Sequence, residues 1–343
     1  MAVKERIQKW DILKFFLIFL VVFGHMLDVF PNPADWMKSV FLFIYTFHMP
    51  VFIFISGMFS KRNVNEKRYS KIFVYLILYF ITKAVLFLSN VIAFKTPAFS
   101  MFFEGGVPWY MLTVFACSLI TIALRKFSPS YVLIFSIILS CLSGYDDSIV
   151  DMLSIPRIVV FFPFFYAGYC IESGDIIKFS EKKPVKFISA FILIAFAVYL
   201  FKYQNSCYWL RPLITGRNHY QILTKYNDFG ALLRLAYYAV VTVIGMAVIC
   251  LTPTKLGKGT VARWGSRSLQ VYILHYALIY IYLGLIDKYL PNVSPTIKII
   301  VLSVLFTAIC SLKIWEPTFK KLMNPERNPI EKIITSAPAV NDK

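Results

Sequence analysis

The chain carries four histidines, and three of them, His25, His48 and His275, lie inside apolar runs, where an uncompensated polar side chain is costly. An imidazole titrates near neutral pH, so it can take up a proton, return it, or attack as a nucleophile. In "WDILKFFLIFLVVFGHM", Trp10 to Met26, Lys14 precedes His25 by eleven residues. That spacing is three helical turns plus about 20°, which puts both on one face about 16 Å apart. Asp11, three residues before Lys14, can hold the lysine by an i,i+3 contact. Asp28 stands one turn beyond His25, where it could orient the ring. Arg157 opens "RIVVFFPFFYAGY" with no acid in its own segment, so it either reaches outwards or binds an anionic or carbonyl group in a cavity. Pro50, two residues after His48, predicts a kink there. Lys83, in the middle of the third apolar segment, reads as a lysine reaching a neighbouring carbonyl. Trp109 and Tyr110, in "EGGVPWYML" (Glu104 to Leu112), read as interfacial aromatics.

The elements that must position these residues are membrane helices. The 343 residues are 58% hydrophobic, 17% aromatic and 16% charged, with a mean hydropathy of +0.66. This is far more apolar and less charged than a soluble domain. About ten apolar segments recur, at 12–30, 38–59, 71–93, 107–124, 131–144, 155–172, 186–203, 229–251, 268–286 and 296–315. The fold expected is therefore an all-α, polytopic helix bundle with about ten transmembrane helices. It forms one membrane-embedded unit over 1–320, followed by a polar tail over 321–343. The first segment has no small-residue cleavage site after it and reads as a retained span.

The net charge of +18 is not a nucleic-acid footprint, because its Lys and Arg are dispersed over short loops. One set of alternate loops holds 24 of them and the other set 7, which predicts that both termini are cytoplasmic. The six cysteines form no CxxC, and no metal site is expected; they read as buried small hydrophobes. The longest opposite loop, "QNSCYWLRPLITGRNHYQILTKYND" at 204–228, mixes Tyr and Trp with Arg211, Arg217 and His219. That chemistry suits sugars, and it equally suits an aromatic-anchored solvated loop.

Together, "RIQKWDILKFFLIFLVVFGH", "FHMPVFIFISG", "RIVVFFPFFYAGY" and "WGSRSLQVYILH" resemble blocks of the acyltransferase family 3 membrane enzymes. They are most similar to the fucose 4-O-acetylase-like branch, and they run in the family's order from about residue 6 to 276. The resemblance implies transfer of an acetyl group from cytoplasmic acetyl-CoA to a sugar hydroxyl at the outer side of the cell membrane. The acceptor would be a capsule, a lipopolysaccharide, another bacterial surface glycan or a lipid-linked precursor. His25 matches the catalytic histidine and would act as general base, with an acetyl-His25 intermediate as a variant. His48, His275 or Arg157 would stabilise the oxyanion. Lys14, Asp11 and Arg6 fall on the donor side, and Arg157, Trp109 and Glu104 on the acceptor or oxyanion side. Lys14 departs from the arginine usual at its position; it keeps the charge and loses the bidentate fork. Acetyl-CoA would be a co-substrate, with no permanently bound cofactor. The partners expected are the glycan and membrane lipid, with no nucleic acid, and self-association stays open. The competing reading is a proton-coupled transporter or flippase for a polar solute, which intramembrane His, Lys and Arg would also serve.

Overall fold

The computed structural model describes residues 7–95, 100, 106–147 and 152–323, and among these every element is helical. The principal helices are α1 (Gln8–Asp28), α2 (Asp35–Asn65), α3 (Tyr69–Phe94), α4 (Trp109–Leu124), α5 (Pro129–Ser143) and α6 (Ile155–Cys170). A short α7 (Ser173–Ser180) leads to α8 (Lys183–Lys202). The single turns α9 (Gln204–Cys207) and α10 (Arg211–Ile214) follow, and then α11 (Gly230–Leu251) and the short α12 (Thr260–Gly265). The chain closes with α13 (Ser268–Ile281), α14 (Pro295–Cys310) and α15 (Glu316–Met323). Each of the ten apolar segments expected from the sequence coincides with one of these helices.

Not all of them are long enough to cross a bilayer alone. Among the described residues six helices have the length and apolarity to do so, and the number rises to eight if the pairs α6–α7 and α14–α15, bent by 87° and 41°, each count as one span. α4 and α5, with 16 and 15 residues, fall short of the roughly 20 needed for a ~30 Å hydrocarbon core. The molecule is a multi-pass membrane protein with its polarity turned outside in. Phe187, Phe191 and Ile194 on α8 and Leu232 and Leu235 on α11 are exposed, as are Ile300, Val301 and Val304 on α14, whereas Arg157, Arg234, His48 and His275 are buried.

The centre of the bundle is α2, which is buried along most of its length. It runs as one helix through Pro50, since the proline removes only one backbone donor from a packed helix. α2 and α6 touch backbone to backbone. A Cβ on Gly57 would lie 1.9 Å from the Phe165 carbonyl oxygen, and one on Gly168 would lie 2.0 Å from that of Phe54. Small residues at a helix crossing permit this approach, and it locks α6, with Arg157, against the helix that carries His48. Lys83 on α3 donates to the Ser100 carbonyl at 2.9 Å, the kind of partner its sequence context suggests, and lies over the Tyr79 ring.

Candidate functional site

The three membrane-depth histidines come from three different helices and converge. His25 and His48 both line a cavity of about 320 Å³, and the His275 ring lies behind His25 with centroids 5.4 Å apart. Tyr276 meets His25 edge-on at 5.0 Å, and Tyr45 meets His48 edge-on at 4.8 Å. Gly24 makes room for this grouping, because a Cβ there would lie 2.9 Å from the Tyr45 ring.

Two of the imidazoles are held in a defined tautomer. His48 Nδ1 lies 2.7 Å from the Ile44 carbonyl oxygen, and His275 Nδ1 lies 2.9 Å from that of Val271. A carbonyl can only accept, so in both rings Nδ1 carries the hydrogen, and in the neutral ring Nε2 presents a lone pair. His275 is fully buried, and its Nε2 has no hydrogen-bond partner among the described residues.

Arg157 is 5% exposed, and its guanidinium lies over the Trp109 ring at 4.9 Å. Trp109 stacks in turn on Phe161, with centroids 5.3 Å apart. Both Arg157 and Trp109 line the histidine cavity. Of the two placements open to Arg157 in the sequence, the cavity is the one found. Trp109 is buried in the same wall rather than exposed as a belt residue.

The segment after α8 covers the mouth of the cavity with Arg211, Arg217 and Asn218, while His219 faces elsewhere. Asp28 does not turn to His25. Its carboxylate pairs with Arg211, which tethers the covering segment to the end of α1. Arg234, a buried cation in α11 that the sequence reading passed over, donates to the Leu213 carbonyl at 2.7 Å and lies near the rings of Tyr220 and Tyr237. It pins the same segment from below. The Asn218 amide closes the turn by donating to the Pro212 carbonyl and to Thr215.

Lys14 is not on this cavity. Its ammonium pairs with Asp11 at 2.7 Å, as the i,i+3 spacing predicts, and lines a second cavity of about 220 Å³. The two spaces abut. On α1, Val21 faces the histidine cavity and Ile18 the lysine cavity; on α2, His48 and Phe52 divide in the same way. On α4 the division falls between Trp109 and Tyr110, and on α13 between Tyr276 and Leu269. Met49 and Tyr272 face both spaces. The contribution of Tyr45 and Tyr276 to the histidine cavity had no sequence signal, because a tyrosine in an apolar run resembles any other core aromatic. Arg6 and Glu104 lie outside the described residues.

Against this geometry, the family model of the acyltransferase 3 enzymes, described as an acyltransferase domain, matches residues 7–315. The chain belongs to the acyltransferase 3 family. The match takes in every cavity residue described above. Over 70 residues this chain is also 36% identical to nodulation protein NolL of Mesorhizobium japonicum (strain LMG 29417 / CECT 9101 / MAFF 303099). That alignment covers 20% of this chain and 19% of the relative, so it supports kinship and leaves most of both chains unmatched. No solved structure gives a significant match.

Proposed function

We propose that this acyltransferase moves an acetyl group from cytoplasmic acetyl-CoA to a hydroxyl of a bacterial surface glycan, or its lipid-linked precursor, on the outer side of the cell membrane. The observation that carries the reading is the pair of abutting cavities, one holding Lys14 and the other the histidine cluster. Two substrates arriving from opposite faces need such an arrangement. The loop charge asymmetry assigns the Lys14 end to the cytoplasm, where the polyanionic donor is found. The fucose 4-O-acetylase-like resemblance, and the aromatic covering segment with Arg211 and Arg217, favour a sugar acceptor.

In this mechanism His25 takes the proton from the acceptor hydroxyl as the oxygen attacks the thioester carbonyl. The tetrahedral oxyanion collapses with loss of the CoA thiolate, which recovers that proton from the His25 imidazolium. Of the oxyanion donors suggested by the sequence, Arg157 is the suitable one. It carries fixed N–H donors on the cavity wall, whereas neutral His48 and His275 spend their Nδ1 hydrogens on backbone carbonyls and offer only lone pairs. The family assignment favours this transferase reading over a proton-coupled carrier.

The test uses the full chain purified into lipid nanodiscs, with release of CoA from acetyl-CoA measured with and without de-O-acetylated capsular polysaccharide or lipopolysaccharide. Acceptor-dependent release is expected, and His25→Ala should lose roughly 10²–10⁴-fold of it. A folded His25→Ala protein with an unchanged rate would remove His25 from the chemistry. Solute flux in liposomes without CoA release would favour the carrier.

A further inference from the structure

The donor and acceptor spaces of the proposed reaction abut, and two side chains lie between them. Met49 and Tyr272 face both. The thioester carbonyl must come within about 3–3.5 Å of the attacking oxygen beside His25. Lys14 lies about 16 Å away along the same helix face. An acyl group held from the Lys14 side therefore has to pass the level of this wall.

The two residues are built differently. The Tyr272 hydroxyl donates to the Val107 carbonyl, and its ring rests against Tyr110 with centroids 5.0 Å apart. Tyr110 is itself fixed, with its hydroxyl 2.7 Å from that of Ser56. Tyr272 is thus an anchored post. Met49 has no polar anchor and is an unbranched thioether with several rotatable bonds, the side chain best able to swing and refill a gap. It is nevertheless buried, at 8% exposure, and lines both cavities.

We propose that Met49 is the moving leaf and Tyr272 the fixed jamb of a gate between the two cavities, and that the Met49 side chain sets the length of acyl group the enzyme accepts. The proposal rests on the transferase reading above. The open gate admits an acetyl group, whereas each further methylene competes with the methionine for the same space. At rest the closed gate keeps acceptor-side water from the thioester, so donor hydrolysis without acceptor stays slow.

The experiment compares acetyl-, propionyl- and butyryl-CoA with wild type, Met49→Ala and Met49→Phe, in nanodiscs and with the same polysaccharide acceptor. Discrimination of one methylene in a pocket is worth about 10–200-fold. Met49→Ala should therefore raise the butyryl-to-acetyl ratio of kcat/KM at least tenfold and speed acceptor-free hydrolysis severalfold. Met49→Phe should depress butyryl transfer more than acetyl transfer. Where Met49→Ala does not fold, Met49→Cys removes most of the same length and should move both quantities in the same direction. An unchanged donor ratio in a folded, active shortened variant overturns the gate. The absence of CoA release by wild type with any donor would instead overturn the transferase reading.

Discussion

The ring of His275 stands 5.4 Å from that of His25, its Nδ1 hydrogen given to the Val271 carbonyl and its Nε2 buried without a partner among the described residues. An orphaned lone pair in a protein interior is costly unless it is used. The use open to it is to accept an N–H from His25, which would aim the second nitrogen of His25 at the cavity as a lone pair. His275 would then position the base rather than bind the oxyanion. Replacing it with leucine should lower kcat by about 100-fold, the effect of a small misplacement of a reacting group, with little change in KM. His275→Gln keeps an acceptor oxygen and should recover part of that loss. Because His25 must be neutral to act, kcat should also fall as pH drops through its titration and level off above it. Equal loss in both variants, with no change in pH profile, would reduce His275 to packing.

Lys14 offers a second measurement. It is held by Asp11 on the lysine cavity rather than the histidine cavity. A role in donor binding predicts that Lys14→Met raises the KM for acetyl-CoA at least tenfold and leaves the KM for the glycan unchanged. Lys14→Arg should restore donor binding, because the charge is kept and a bidentate fork is gained. A rise confined to the glycan KM would place Lys14 on the wrong substrate.

The pair of Asp28 and Arg211 is a case where magnitude separates two roles. Both side chains are 39% exposed, and such a pair contributes only about 0–1 kcal/mol to stability. Its value lies instead in tethering the segment that supplies Arg217 and Asn218 to the cavity mouth. Asp28→Asn and Arg211→Gln should each shift Tm by no more than a few degrees while raising the glycan KM severalfold. The double variant should be little worse than either single one, as expected of two partners in one interaction. Additive losses in the double variant would mean that the two residues act separately.

Much of the architecture can be read directly from the chain, and the reason is local. Lipid supplies no hydrogen bonds, so a long apolar run has little choice but helix, and each expected segment is one. The Asp11–Lys14 contact and the shared face of Lys14 and His25 follow from helical spacing alone. The number of crossings does not, because whether short or sharply bent helices such as α4, α5 and the α6–α7 pair traverse the bilayer depends on their neighbours. Nor does the meeting of His25, His48 and His275, which the packing of α1 against α2 and α13 brings together. The wall between the cavities is likewise tertiary. Met49 sits in an apolar run indistinguishable from its surroundings, and only the packing of four helices leaves it facing two spaces. Arg234 and Asp28 make the same point in charge: the sequence provides the ions, and the folded segment between α8 and α11 decides what each one holds.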